Sequence, residues 1–133
     1  MSYANPIQIT YTTAAITVTA AATTWPMRGP KGLTGRLVDV IARCTTTHVV
    51  GVTIPHSAGI GLTGAGNAAA YGNFLPAAMT ALTGATALSD LPTTSALGTV
   101  LIPADTTVLL TTVAGTGAGV AGAIIYDVVI NWF

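Results

Sequence analysis

Between Arg43 and Asp90 the chain carries no Asp, Glu, Lys or Arg at all. Its 133 residues hold three Arg, one Lys, four Asp and no Glu, so charged residues make up 6%, against roughly 25% in an ordinary globular domain. A monomer stays dispersed through its ionic side chains, and sparse charge with a formal net charge of zero favours association. Such a chain has little surface to leave in water. The expectation is that copies of itself or a larger assembly cover much of what would otherwise be surface.

The length fits one domain, expected over residues 1–133 with long loops at about 23–35 and 55–75. Hydrophobic residues reach 51% and the mean hydropathy is +0.70, values that raise the question of a membrane span. The one stretch long enough, Val113 to Ile130, is broken by Gly115, Gly117, Gly119 and Gly122 and then carries Tyr126 and Asp127. No membrane contact is expected from it. The N-terminal MSYANPIQIT has neither a basic segment nor a continuous apolar core, so the chain is expected to be made in a cytoplasm. A single cysteine, Cys44, excludes an internal disulfide and agrees with a reducing compartment.

Thr, Val and Ile favour strands because branched side chains fit a pleated surface, and the absence of Glu removes a main exposed-helix former. Period-two patterns follow. Ile7, Ile9 and Tyr11 alternate with Gln8, Thr10 and Thr12, and Ile16 and Val18 continue the theme. From Gly35, the residues Val38, Val40, Ala42 and Cys44 share one face, and Leu37, Asp39, Ile41 and Arg43 the other. His48, Val50, Val52 and Ile54 alternate next. Val100–Ile102 and Thr107–Thr112 read as short strands around the turn Pro103-Ala104-Asp105, and Ile124–Phe133 as a long closing strand, apolar on both sides and so expected to be central and doubly covered. Alternating segments bounded by Gly and Pro predict an all-β, antiparallel β-sandwich or barrel.

Two stretches interrupt the strands. TTWPMRGPKGLTG, from Thr23 to Gly35, reads as a loop, as does the glycine-rich Pro55–Asn73; Pro76 to Leu82 could add a turn or two of helix. Long ordered loops in small domains are usually functional, and uncharged ones rest against something. Large apolar side chains in such loops are natural anchors of an interface, which singles out Trp25, Met27, Tyr71, Phe74 and Leu75 as expected assembly contacts.

Catalytic chemistry finds no constellation. Gly117–Gly122 satisfies G-x-G-x-x-G, but a dinucleotide site needs that motif to open a helix, and the residues after it are β-branched. His48 and His56, even with Asp39, lack a recognised metal spacing. Ser57 follows His56 directly, and neighbours on an extended chain point apart. Cys44 reads as a small core residue. The four Asp, at 39, 90, 105 and 127, form no close pair for acid–base work; Asp90 and Asp105 read as turn residues. No enzyme activity, cofactor or metal is expected. Arg28, Lys31, Arg36 and Arg43 fall within sixteen positions, too few for a nucleic-acid surface, and are expected to meet acidic groups on a partner.

The last third, LGTVLIPADTTVLLTTVAGTGAGVAGAIIYDVVINWF, places a Pro-bounded strand, a Thr-rich strand, a Gly-rich turn and a long closing strand in succession. In this Thr/Ala/Gly-rich, nearly uncharged context it resembles the small virion proteins of tailed bacteriophages, capsid cement or decoration proteins above all. The resemblance implies a jelly-roll core and a homotrimer seated on the major capsid protein at local symmetry axes of an icosahedral shell. It implies a location on the capsid surface of the virion and no catalytic residues. Scarcity of Lys and Glu keeps a single-jelly-roll shell subunit, a tail component or a pilus-like fibre subunit beside it. A lectin-like module using Trp25 and the loop from Ser57 to Phe74 is the reading from another class.

Overall fold

The computed structural model describes residues 6–17, 23–46, 52–54, 57–61, 72–73, 88–90, 101–114, 116–117 and 122–133. They form strands only: β1 (Ile7–Thr12), β2 (Ile16–Thr17), β3 (Thr24–Arg28), β4 (Gly35–Thr46), β5 (Val52–Ile54), β6 (Ser57–Gly61), β7 (Gly72–Asn73), β8 (Leu88–Asp90), β9 (Thr107–Val113), β10 (Thr116–Gly117) and β11 (Ala123–Trp132). One sheet runs β1-β11-β4-β8, with β2 also on β11; a second runs β3-β9-β6-β7; β5 and β10 form a short ribbon. Every pairing is antiparallel, and the arrangement is an all-β sandwich.

Alternation puts one face of each strand into the space between the sheets. From β11 come Ile124, Tyr126, Val128, Ile130 and Trp132, and from β4 Leu37, Val40 and Ala42; Met27, Ala58, Ile60, Val108 and Leu110 meet them from the second sheet. Ile102 joins this core by a two-way backbone bridge to Gly35, its N–H donating at 2.8 Å and its carbonyl accepting at 2.9 Å.

Several expectations change. The closing strand is central, between β1 and β4, but only one face is fully covered: beside the buried Val129, its other face holds half-buried Ile125, Asp127 and Asn131, because that face is the outside of the sandwich. On β4 the alternation slips. Val129 pairs with Asp39 and Ile130 with Leu37, leaving Val38 as an extra residue, and this bulge reverses the phase. Leu37 is therefore buried and Val38, expected inside, is 39% exposed. The supposed loop from Thr23 begins with strand β3, which accepts Pro26 because β3 borders its sheet and a border strand can forgo a donor.

The stretch Pro55–Asn73, expected as a loop, contains β6 and β7. Ser-Ala-Gly-Ile-Gly has weak strand propensity on its own, yet Gly59, Ile60 and Gly61 are buried with β6 paired to both β9 and β7. The region expected to hold two strands around Pro103 holds β9 and the single bridge at Ile102. Asp105 is a turn residue with φ 59°, and Thr106 N–H donates to the Pro103 carbonyl at 3.4 Å. Asp90, in contrast, lies in β8 opposite Ile41. Among the described residues no helix is long and apolar enough to cross a membrane. Val113–Ile130 instead contributes Val113 to β9, then β10, then most of β11.

Candidate assembly surface

Of the five expected contact residues, Tyr71, Phe74 and Leu75 lie outside the described residues, as do His48, His56 and Pro76–Leu82. Trp25 and Met27 sit on β3 and not on a loop, and both point inward. Met27 is 3% exposed, a core residue that cannot reach a partner. Trp25 is half-buried and packs against the core, lining a cleft of about 120 Å³ with Tyr11, Thr12, Thr13, Pro26, Met27 and Val128. That cleft opens on the flank where β1 and β3 border the two sheets. There Tyr11 ties the sheets together, its hydroxyl donating to the Arg28 carbonyl at 2.8 Å, and burial pushes its phenol above the usual range. The indole Nε1 of Trp25 is buried without a hydrogen-bond partner.

Among the described residues, three of the four exposed large apolar side chains lie at one end of the first sheet, Val38 on β4 being the fourth. Ile7 pairs with Trp132 and is 48% exposed. Phe133 exchanges backbone hydrogen bonds with Thr34, both at 2.9 Å, and is 39% exposed. Leu101, 43% exposed, precedes Ile102 at its bridge to Gly35. The Arg36 guanidinium stands 5.6 Å from the centre of the Phe133 ring, within cation–π range, and with Pro6 and Asn131 these two line an open hollow of about 290 Å³. In the sequence Ile7 and Phe133 only continue regular alternations; the ladder shows that Ile7 stands in its last pair and Phe133 one residue past the end of β11.

The four cations disperse once folded. Arg36 and Arg43 lie on the outer face of the first sheet, Arg28 on the second and Lys31 in an exposed turn. Arg43 grips Asp127 with two hydrogen bonds, Nε to Oδ2 at 2.8 Å and Nη2 to Oδ1 at 3.2 Å, and Arg28 stands 3.9 Å from Asp105 with both side chains well exposed. Two of the cations expected to meet acidic groups on a partner thus have carboxylates within the chain. Among the described residues no group of three His, Cys, Asp or Glu could hold a metal ion.

The Thr12–Asp127–Arg43 trio is the best-defined polar cluster. Thr12 Oγ1 donates to Asp127 Oδ1 at 2.7 Å. Burial alone would raise the Asp127 carboxyl, but the hydrogen bonds from Arg43 and Thr12 and the Arg43 charge outweigh it and hold the group below the ordinary value of 3.8. The unfolded carboxyl is therefore protonated first as pH falls. The stabilisation is complete above about pH 4 and is lost progressively as pH drops through the lower folded value. With Arg43 41% exposed, solvent screens the pair, and Asp127→Asn is expected to cost only about 1 kcal/mol at neutral pH. Urea titrations of both proteins at pH 7 and pH 3 check this: the gap between them should close at the lower pH, and a gap unchanged by acid would mean the carboxylate charge contributes nothing.

No family model matches the chain, and no curated protein or solved structure is significantly similar to it.

Proposed function

We propose that this chain is a structural subunit of a virus particle, a capsid cement or decoration protein that binds copies of itself and the major capsid protein on the capsid surface. The observation that carries the reading is the poverty of charge together with where the apolar surface lies: Ile7, Leu101 and Phe133 at one end of the first sheet. Such a surface suits permanent contact with protein. Among the described residues nothing assembles a catalytic constellation or a basic face for nucleic acid.

Strand order supports a jelly-roll core. The pairs β1·β11, β3·β9, β4·β8 and β6·β7 are the rungs of one long hairpin whose tip lies between β6 and β7. Successive rungs alternate between the two sheets, and β11·β4 with β9·β6 close the roll. An eight-strand antiparallel hairpin wound in this way is the jelly-roll pattern found in viral shell proteins. The sugar-binding alternative is less favoured, because Trp25 is half-buried against the core and presents only part of its ring to the cleft.

With so few ions, attachment to a shell must come from apolar burial, backbone pairing and Thr hydroxyls. Exposed ion pairs weaken as the Debye length falls to about 3 Å at 1 M salt. Binding to particles is therefore expected to survive molar NaCl and to fail in denaturant, and Tyr71→Asp or Phe74→Asp to release the protein, since an unpaired charge in a dry contact is costly. Co-sedimentation with particles across a salt series tests this. Release of the wild type at moderate salt would overturn the apolar mode of attachment, and absence of binding to any particle would overturn the virion reading.

A further inference from the structure

Two strands border the sandwich on the flank where the Trp25 cleft opens, and they differ in how they meet solvent. β3 carries Pro26 and Arg28, a missing donor and a charge, which are two of the devices that keep sheet borders from pairing. β1, Ile-Gln-Ile-Thr-Tyr-Thr, has no charge, proline, glycine or bulge over its length, and among the described residues nothing pairs with its outer side.

The orientation of its backbone follows from one contact. Thr13 N–H donates to the Tyr126 carbonyl at 3.0 Å, and Tyr126 N–H donates to Thr13 Oγ1 at 3.0 Å, so Thr13 turns its backbone toward β11. In an antiparallel ladder both backbone groups of a residue point to one side and the side alternates. Ile7, Ile9 and Tyr11 thus face β11, and Gln8, Thr10 and Thr12, all exposed, offer their N–H and C=O groups outward. This is a ready template for another strand.

We propose that β1 pairs antiparallel with β1 of a second copy across a two-fold axis at Thr10, joining the two β1-bearing sheets into one. In that register Thr10 lies opposite Thr10 of the partner subunit, Gln8 opposite Thr12 of the partner subunit, and Ile9 opposite Tyr11 of the partner subunit. Thr–Thr and aliphatic–aromatic pairs are favourable across strands, and like charges directly opposite are not; a strand without ions is complementary to itself. A segment chosen by charge finds nothing to read here, which favours the second copy over a charged partner peptide. The pairing also covers half-exposed Ile9 and Tyr11 and the mouth of the cleft. It deepens the homo-oligomeric part of the function proposed above, and being isologous it closes as a dimer, in place of the trimer implied by resemblance.

Sedimentation velocity of the full chain at micromolar concentration tests it with three variants. Wild type is expected to be a dimer. Thr10→Lys and Thr10→Glu each set like charges face to face on the axis and are expected to dissociate it about tenfold or more, while their equimolar mixture, with opposite charges facing, restores it. Thr10→Cys is expected to form a disulfide between copies on mild oxidation, because directly paired residues lie about 5.5 Å apart, within bridging range. Circular dichroism melts establish that each variant is folded, and Thr10→Arg with Thr10→Asp, which place the same charges on the axis, replaces any that is not. A monomeric wild type, an oligomer indifferent to Thr10→Lys, or a mixture that stays monomeric would overturn the pairing. Particle binding read in parallel separates the two proposals: a chain that binds particles without β1 pairing leaves the virion reading standing.

Discussion

Gly29→Ala is expected to lower the melting temperature by on the order of 10 °C, although it adds one methyl group. A Cβ at Gly29 would stand 2.3 Å from Cδ2 and Cε3 of Trp132, and one at Gly35 would stand 2.6 Å from Cζ3 of the same ring. The indole is 1% exposed, and two stretches of backbone press on it where side chains would not fit. A rigid bicyclic ring cannot give way as a flexible side chain would. Overpacking of this kind costs about 1 to 3 kcal/mol, occasionally more, and a domain of this size loses a few degrees per kcal/mol. Trp132→Ala, which empties the cradle, is expected to cost about 3 to 5 kcal/mol.

A comparison at Gly32 shows that sterics and not backbone freedom decide the matter. Gly32 has φ +79° with nothing within 4 Å of a Cβ built there. It sits in the turn closed by Leu33 N–H donating to the Pro30 carbonyl at 3.2 Å, at the position where a type II turn needs positive φ. Gly32→Ala therefore costs only the left-handed backbone penalty, about 1 to 2 kcal/mol. Thermal melts of Gly29→Ala alone and in the Trp132→Leu background provide the deciding cycle: the penalty should shrink to a few tenths of a kcal/mol once the ring is gone. A penalty that persists there would place its cause in the backbone.

What was legible in the residues follows from which forces act locally. β1, β9 and β11 were readable because alternation is a local signal and each strand buries one face. Their neighbours were not, since pairing joins residues such as Ile7 and Trp132 that are far apart in the chain. Val38 shows the limit most clearly. Its side chain obeys the alternation on paper, and only the mismatch between β4 and β11 reveals that one residue is skipped. Pro26 misled in the opposite direction, because proline marks a loop unless a strand borders a sheet, and border position is a tertiary fact. The glycines of β6 hide a strand for the same reason: their burial between β9 and β7 depends on partners and not on propensity.

The candidate surface was less legible than the fold. Size and polarity alone nominated Trp25 and Met27, and side-chain direction took both of them into the sandwich. Exposure at Ile7 and Phe133 depends on where the ladders stop, and the open side of β1 on the lack of a partner strand there among the described residues. Scarcity of charge was the one signal available beforehand, and it indicates that surface must be covered without saying which surface.

The inner face of β11 is where the largest loss of stability is expected, and it separates folding from assembly. Ile130 and Tyr126 are 0% exposed on the strand that pairs with β1, β2 and β4, and burial pushes the Tyr126 hydroxyl far above its ordinary range. Ile130→Ala and Tyr126→Ala are each expected to cost about 2 to 5 kcal/mol through lost transfer energy and a residual cavity. Ile125→Ala, from the half-buried outer face of the same strand, should cost less than half as much, since part of its surface is in water to begin with. Denaturant titrations give these differences directly, and equal losses on the two faces would mean that something covers the outside of the sheet as tightly as the core covers the inside. Because Ile130 pairs with Ile9 of β1 on the inward face, Ile130→Ala should lower the melting point while leaving the outward groups of β1 in register. Below its melting point it should sediment as the wild type does. Thr10→Lys should do the reverse, keeping the melt of a folded monomer and losing the oligomer, so the two substitutions assign stability and assembly to opposite sides of one strand pair.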